Sequence, residues 1–139
     1  WFISKVMSEI KKKLLQMGLR PTIQRIAILD ILLKQGNVHV CAAKIKDILE
    51  IKKKSISTAT IYNNLNELSR KGFLKKVQID KDKMWFDTNL SEHHHFYDEE
   101  KDQLTDIDEK QIEFSRFPNL PKGKRLKSLS IIIKVQSKK

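Results

Sequence analysis

The side chains in this sequence best suited to coordination chemistry lie between Met84 and Ile107, in the stretch MWFDTNLSEHHHFYDEEKDQLTDI. Three of the chain's four histidines stand together there, His93, His94 and His95, and the fourth is His39. Asp87 precedes the triplet and Asp106 follows it. Imidazole and carboxylate together suit borderline and hard divalent ions such as Fe(II), Mn(II) and Zn(II). In a strand, successive side chains alternate, so His93 and His95 share one face and His94 takes the other. A hairpin return then brings Asp106 close. Asp87 is one short connection away, and His39 comes from a loop ahead of a helix. One reading is a site of five groups, His39, Asp87, His93, His95 and Asp106, whose occupancy clamps two halves of the chain and shifts the population toward a closed arrangement. The other is a solvated histidine run that binds nothing, because His-x-His is a common pattern.

The elements that must position these groups follow from spacing and punctuation. SEIKKKLLQM predicts a short helix over 8–17, with Ser8 as cap and Gly18 as stop. Thr22 caps a second helix carrying Ile23, Ile26, Ile28, Leu29 and Leu33, closed by Gly36-Asn37. A third helix spans about 41–51 with Ala42, Ile45, Ile48 and Leu49 inward. Ser57 caps a fourth, whose stripe is Ile61, Leu65 and Leu68 and whose stop is Gly72. FLKKVQI and MWFDT, joined by DKDK, read as a hairpin. Beyond Thr88 come a strand at the triplet, an acidic turn, a strand at LTDI, a helix near 108–116, the loop FPNLPKGK and a β-branched final strand in SLSIIIKVQ, read as a buried central strand.

These elements predict an α+β chain. Residues 1–90 form a winged helix-turn-helix domain, and residues 91–139 a small α/β dimerisation domain, with the metal site at the hinge. Residues 1–6 are read as an extension ahead of Met7 or as residues added in cloning. A segment of about 50 residues is marginal alone, which argues for a homodimer.

The charge is uneven. Residues 1–90 hold 18 Lys/Arg against 8 Asp/Glu, a net of +10, while residues 91–139 hold 10 against 9, a net of +1. That excess points the first half toward a polyanion. The fourth helix is the one expected in a DNA major groove, with Ala59, Tyr62, Asn63, Asn66 and Arg70 outward, and two reading heads in a dimer fit a palindromic operator in double-stranded DNA. Lys52, Lys53, Lys54, Lys71, Lys75, Lys76 and Lys81 are placed near phosphates. No apolar run reaches membrane-span length, and the lysines are scattered over several segments, which argues against a membrane partner. The start, WFISKVMSEIKKK, carries no secretory pattern, and a cytoplasmic location is expected. The single cysteine, Cys41, allows no internal disulfide and no four-cysteine zinc site, and it reads as a small apolar packing residue in the third helix. Trp85 reads as packing.

With these residues in view, the chain resembles the ferric uptake regulator family of bacterial metal-dependent repressors over about residues 10–136. The motifs are GLRPTIQRIAILDIL, HVCAAKI at 39–45, STATIYNNLNEL at 57–68 followed by GFLKKV, and FDTNLSEHHH with LTDI. The resemblance implies a metal-dependent transcriptional repressor that is not an enzyme. Within the family the five positions look like the regulatory site of the peroxide regulator (PerR) branch. That implies His39, Asp87, His93, His95 and Asp106 as ligands for Fe(II) or Mn(II), with Zn(II) as a purification occupant. Aspartate at 87 fits that branch, where the iron-sensing branch usually has glutamate. Peroxide sensing in that branch modifies a ligating histidine, and here the candidates are His39 and His93. Thr60, Tyr62, Asn63, Asn66, Arg70, Lys53 and Lys54 become the DNA-binding set, with Tyr62 resembling the family's base-contacting tyrosine.

Two departures stand out. The family's structural zinc uses two Cys-x-x-Cys pairs; Asp98 and Lys101 fill the first pair's places and the second pair is missing. The family's TVYR reads TIYN here, and Asn63, the three histidines and the missing zinc cysteines match the haem-responsive iron response regulator (Irr) branch. That branch implies haem at His93, His94 and His95, although the Cys-Pro haem motif of some members is absent here, which counts against Cys41 as an axial ligand. Readings from other classes are a metal enzyme, disfavoured because five ligands leave little room for substrate, and a metal-independent architectural DNA binder.

Overall fold

The computed structural model describes residues 2–36 and 38–139. Trp1, part of the expected N-terminal extension, and Asn37, part of the expected stop of the second helix, lie outside the described residues. The chain divides into two compact units, Trp1–Leu90 and Ser91–Lys139.

The first unit runs α1 (Phe2–Gln16), α2 (Ile23–Lys34), β1 (His39–Val40), α3 (Ala42–Ile51), α4 (Thr58–Arg70), β2 (Lys75–Asp80) and β3 (Lys83–Asp87). Its strands form one antiparallel sheet in the order β1-β3-β2. Residues 58–70 and 75–87 therefore deliver a helix followed by a two-stranded wing, as the sequence predicted. The core gathers Ile10 and Leu14 of α1, Ala27, Ile28, Leu29, Ile31 and Leu32 of α2, Ile45 and Leu49 of α3, and Ile61, Leu65 and Leu68 of α4, closed by Leu74 and Phe86.

Local chemistry explains these boundaries. The Thr22 hydroxyl accepts from the Arg25 N–H, and the Ser57 hydroxyl from the Thr60 N–H, so both predicted caps are formed. Three helices end on the same double backbone bond. The Leu19 N–H donates to Leu14 O at 2.8 Å and Gly18 N–H to Leu15 O at 3.0 Å, and Phe73 and Gly72 repeat this on Leu68 and Ser69. At the end of α3 the pair is Lys54 to Leu49 and Lys53 to Glu50, with Lys53 itself in the left-handed position at φ 58°. That conformation costs a lysine about 1–2 kcal/mol relative to glycine.

Several expectations are corrected. Helix α1 starts six residues earlier than Ser8, because Val6, Ile10 and Leu14 continue one stripe at four-residue spacing onto the core. The inward face of α2 is Ala27, Ile28, Leu29, Ile31 and Leu32; Ile23 and Leu33 are exposed. Between Ile26 and Leu33 every residue but Asp30 is apolar, which gives periodicity little to choose by. His39 lies in a short strand rather than a loop, and Cys41 is the half-buried N-cap of α3 rather than an interior helix residue.

The second unit runs β4 (His93–Asp98), β5 (Gln103–Asp108), a 3-10 turn at Glu109–Gln111 and β6 (Ile132–Val135). β4 is the central strand, antiparallel to β5 and parallel to β6, so the final strand, expected to be central and buried, is instead a partly exposed edge. The Asp98 carboxylate closes the β4–β5 turn by accepting from the N–H groups of Glu100 and Lys101. The helix expected at 108–116 does not form. Asp108 instead caps the 3-10 turn through the Lys110 N–H, Pro118 disfavours helical geometry at Phe117, and Phe114 and Phe117 stay exposed. An amphipathic segment without an apolar surface to cover gains too little to hold a helix. Trp85 is buried packing, with the Lys44 ammonium 4.6 Å from its ring centre. Among the described residues, no helix is long and apolar enough to cross a membrane.

Candidate metal ligands and reading helix

In the first unit, β1 pairs with β3 so that His39 stands directly opposite Asp87. Cross-strand partners share a face, and the His39 Nε2 lies 3.2 Å from Asp87 Oδ2. Asp87 is 1% exposed, and its other oxygen accepts from the Asn89 N–H at 2.8 Å. Thr88 fastens the strand pair, its hydroxyl accepting from the Val38 N–H and its N–H donating to Val38 O. A buried carboxylate is tolerable only when paired or bonded in this way.

In the second unit, His93 and His95 lie on one face of β4, 7% and 2% exposed, and His95 stands opposite Asp106 of β5. Asp106 Oδ1 is 3.1 Å from His93 Nε2 and 3.3 Å from His95 Nε2, and the two rings are 4.5 Å apart. His93 Nδ1 meets the Ser91 carbonyl oxygen at 2.6 Å. A carbonyl can only accept, so this contact places a proton on Nδ1; in the neutral ring Nε2 then carries the lone pair for a ligand bond. That lone pair then faces a carboxylate oxygen, two acceptors in contact, and only a proton or a cation between them makes the arrangement favourable. The ligand atoms of His93, His95 and Asp106 lie within 4.8 Å of one another, a span one coordination sphere can gather. The residues present thus fit a divalent ion.

His94 points to the opposite face of β4. It is buried too, and its Nδ1 accepts from the Ile131 N–H at 3.1 Å, so it anchors the approach of β6.

Helix α4, the one expected to enter a DNA groove, presents Ala59, Tyr62, Asn63 and Arg70 to solvent. Tyr62 is braced edge-on against Phe86 at 6.0 Å between ring centres. Thr60 is half-buried and its hydroxyl accepts from Ser57 Oγ. Asn66 is half-buried as well, and its amide oxygen is buried without a hydrogen-bond partner among the described residues. Arg70 is paired with Glu67 on the same helix, and this hydrogen bond holds the Glu67 carboxyl below its usual range. Lys53 and Lys54 are exposed at the end of α3, as are Lys52, Lys71, Lys76 and Lys81; Lys75 is half-buried.

Sequence reasoning missed the brace behind this helix. Asn64 donates to Thr60 O and accepts from Arg25 Nε at 3.0 Å, while Arg25 Nη1 donates to Arg20 O. Arg25 thereby fixes α4 against α2. No local signal pairs positions 39 residues apart.

The sequence profile of the ferric uptake regulator family matches residues 16–134. The ferric uptake regulation protein of Bordetella parapertussis is 33% identical over 84 residues, covering 60% of this chain and 60% of that protein. A peroxide-responsive repressor, PerR, of Staphylococcus aureus is 34% identical over 97 residues, covering 70% of this chain and 65% of that protein. The chain therefore spans less than two thirds of the length of either relative. The fold is similar to that of the ferric uptake regulator from Pseudomonas aeruginosa with manganese, with a TM-score of 0.66 at 20% identity over 94% of this chain and 98% of that one.

Proposed function

This chain belongs to the ferric uptake regulator family, and from that premise we propose that it is a metal-dependent, DNA-binding transcriptional repressor of the peroxide-responsive kind. Its metal ligands are His39 and Asp87 of the first unit with His93, His95 and Asp106 of the second. The observation that carries this reading is Asp106 Oδ1 set between two imidazole Nε2 atoms, one of them on a ring whose Nδ1 is held by Ser91 O. The aspartates at 87 and 106 and the similarity to the Staphylococcus repressor support the peroxide-responsive assignment.

Each residue has a task in this reading. Asp87 and Asp106 supply charge that offsets a divalent cation, and burial strengthens the attraction. His39, His93 and His95 supply neutral nitrogen donors. Bound Fe(II) supplies the redox chemistry through which peroxide is registered, whereas Mn(II) supplies the charge alone. Ligand closure ties the two units together and so sets the spacing of two α4 helices in a homodimer on a palindromic operator. Tyr62 and Asn63 read bases, Thr60, Asn66 and Arg70 complete that surface, and Lys53 and Lys54 contact phosphates. Exposed Phe96 and Ile133 on one face of the second sheet support a homodimer. The protein acts in the cytoplasm and not as an enzyme.

The test is DNA binding with and without Mn(II), repeated for Asp87→Ala and His93→Ala. Metal-dependent binding in the parent that both variants lose is expected; metal-independent binding in all three would favour an architectural role and sink the regulator. Mass spectrometry after iron loading and peroxide treatment should find one added oxygen on His39 or His93. The alternative is a haem-responsive regulator, favoured by Asn63 and the histidine triplet. A Soret band on haem titration that His93→Ala and His94→Ala abolish is its signature.

A further inference from the structure

The second unit carries two opposite charge blocks that its near-zero net charge conceals. Residues 91–113 hold 9 Asp/Glu and 2 Lys/Arg, whereas residues 114–139 hold 8 Lys/Arg and no acid. Many of the acids are occupied within the unit. Asp98 and Asp108 cap turns, Asp106 meets His93 and His95, Glu99 pairs with Lys134, and Glu100 accepts from Ser137. The bases of the segment 116–127 are not: among the described residues, Arg116, Lys122, Lys124, Arg125 and Lys127 make no ion pair or side-chain hydrogen bond.

The backbone of this segment is irregular yet built. Lys124 N–H donates to Pro121 O at 3.0 Å, and Gly123 sits at φ 77°, which together make a type II turn. Lys122 and Lys124 flank its tip, with Arg125 next, all exposed. Cations fixed on a turn, with no internal partners, suit a partner that offers anionic oxygens at regular intervals.

We infer that the segment Arg116–Lys127 is a second, sequence-independent contact to the phosphate backbone of the DNA that the first unit reads. The inference rests on the DNA-binding reading above. Nucleic acid is favoured over a lipid surface because Pro118, Pro121 and Gly123 prevent the amphipathic helix that a membrane surface selects, and because the first unit already carries a net charge of +10. The arm adds affinity without choosing sequence, since phosphate contacts position and base contacts specify.

The test uses the full chain with Lys122→Gln, Lys124→Gln and Arg125→Gln combined. Its binding to short duplex DNA of mixed sequence is followed across a range of salt concentrations, with and without Mn(II). Each lost phosphate contact flattens the plot of log affinity against log salt by about 0.9, so the triple variant should flatten it by about 2.7 per protomer. A control of Lys122→Arg with Lys124→Arg keeps the charge and should keep the parent slope. An unchanged slope in the triple variant overturns the inference. So does a parent that binds no DNA, and so does an unchanged slope together with lost binding to phosphatidylcholine–phosphatidylserine vesicles, which would assign the arm to membranes. Flattening in the triple variant, with a parent whose DNA binding ignores Mn(II), upholds the arm and sinks the metal-dependent repressor, so the two failures are separable.

Discussion

The two units are held by different chemistry. Among the described residues, the buried apolar side chains of the first unit come from every helix and from β1, β2 and β3, whereas those of the second are Tyr97, Leu104 and Ile107. Beside those three, the second unit buries three imidazoles. One unit is organised by exclusion of water from hydrocarbon, the other by polar groups that need specific partners. The difference teaches where a ligand can act. Occupying a site in a unit with a large apolar core changes little of its fold, but an ion between His93, His95 and Asp106 would add bonds on the central strand of the second sheet.

The sharpest way to break this comparison is to remove apolar mass from the first unit. Leu65→Ala, at a site with no exposure, should cost about 2–5 kcal/mol in urea unfolding followed through α4, with Mn(II) binding by His93, His95 and Asp106 preserved wherever the chain remains folded. Removing a polar partner should do the reverse. Asp106→Ala should weaken Mn(II) binding by more than about 100-fold in calorimetric titration, beyond the loss typical of an outer-shell partner, while leaving the unfolding of α4 unchanged. In the parent, Mn(II) at 100 times its dissociation constant should add about 2.7 kcal/mol of protection, read by hydrogen exchange in β4 and β5 rather than in α2. Protection confined to α2 would contradict the contrast.

A smaller effect separates fold from function inside the first unit. Lys53 holds a left-handed conformation that glycine adopts freely. Lys53→Gly should therefore raise stability by about 1 kcal/mol in denaturant melts and yet weaken DNA binding at all sequences alike. Unchanged DNA affinity would remove Lys53 from the interface. The smallest effect concerns Glu67, whose folded carboxyl is held below 4.5 by Arg70. A depressed carboxyl contributes stability above its unfolded value and loses it as pH falls through the folded one. Glu67→Gln should thus shift unfolding midpoints slightly above pH 4.5 and progressively less below it.

The same division governs what the sequence revealed. Helices α3 and α4 and the β2–β3 hairpin were legible because Ser57, Gly72 and the Ile61, Leu65, Leu68 stripe are local signals with local causes. That His93 and His95 share a face follows from strand alternation alone. The strand β1 was not legible, since two residues carry no period and exist as a strand only because β3 lies beside them. The helix expected at 108–116 failed for the related reason that its apolar face lacks a surface to cover. The contact from Ser91 O that fixes the His93 tautomer, and the Arg25–Asn64 brace, are long-range or backbone facts that no residue pattern encodes.

The parallel pairing of β4 with β6 bears on biosynthesis. The anchor from His94 to Ile131 spans 37 positions, and β4 gains its second neighbour only through residues 132–135. During translation the histidine-bearing strand therefore waits, bonded along one edge, until residue 135 has left the ribosome. A chain cut before Ile131 would keep its imidazoles but expose an unpaired strand edge to its neighbours.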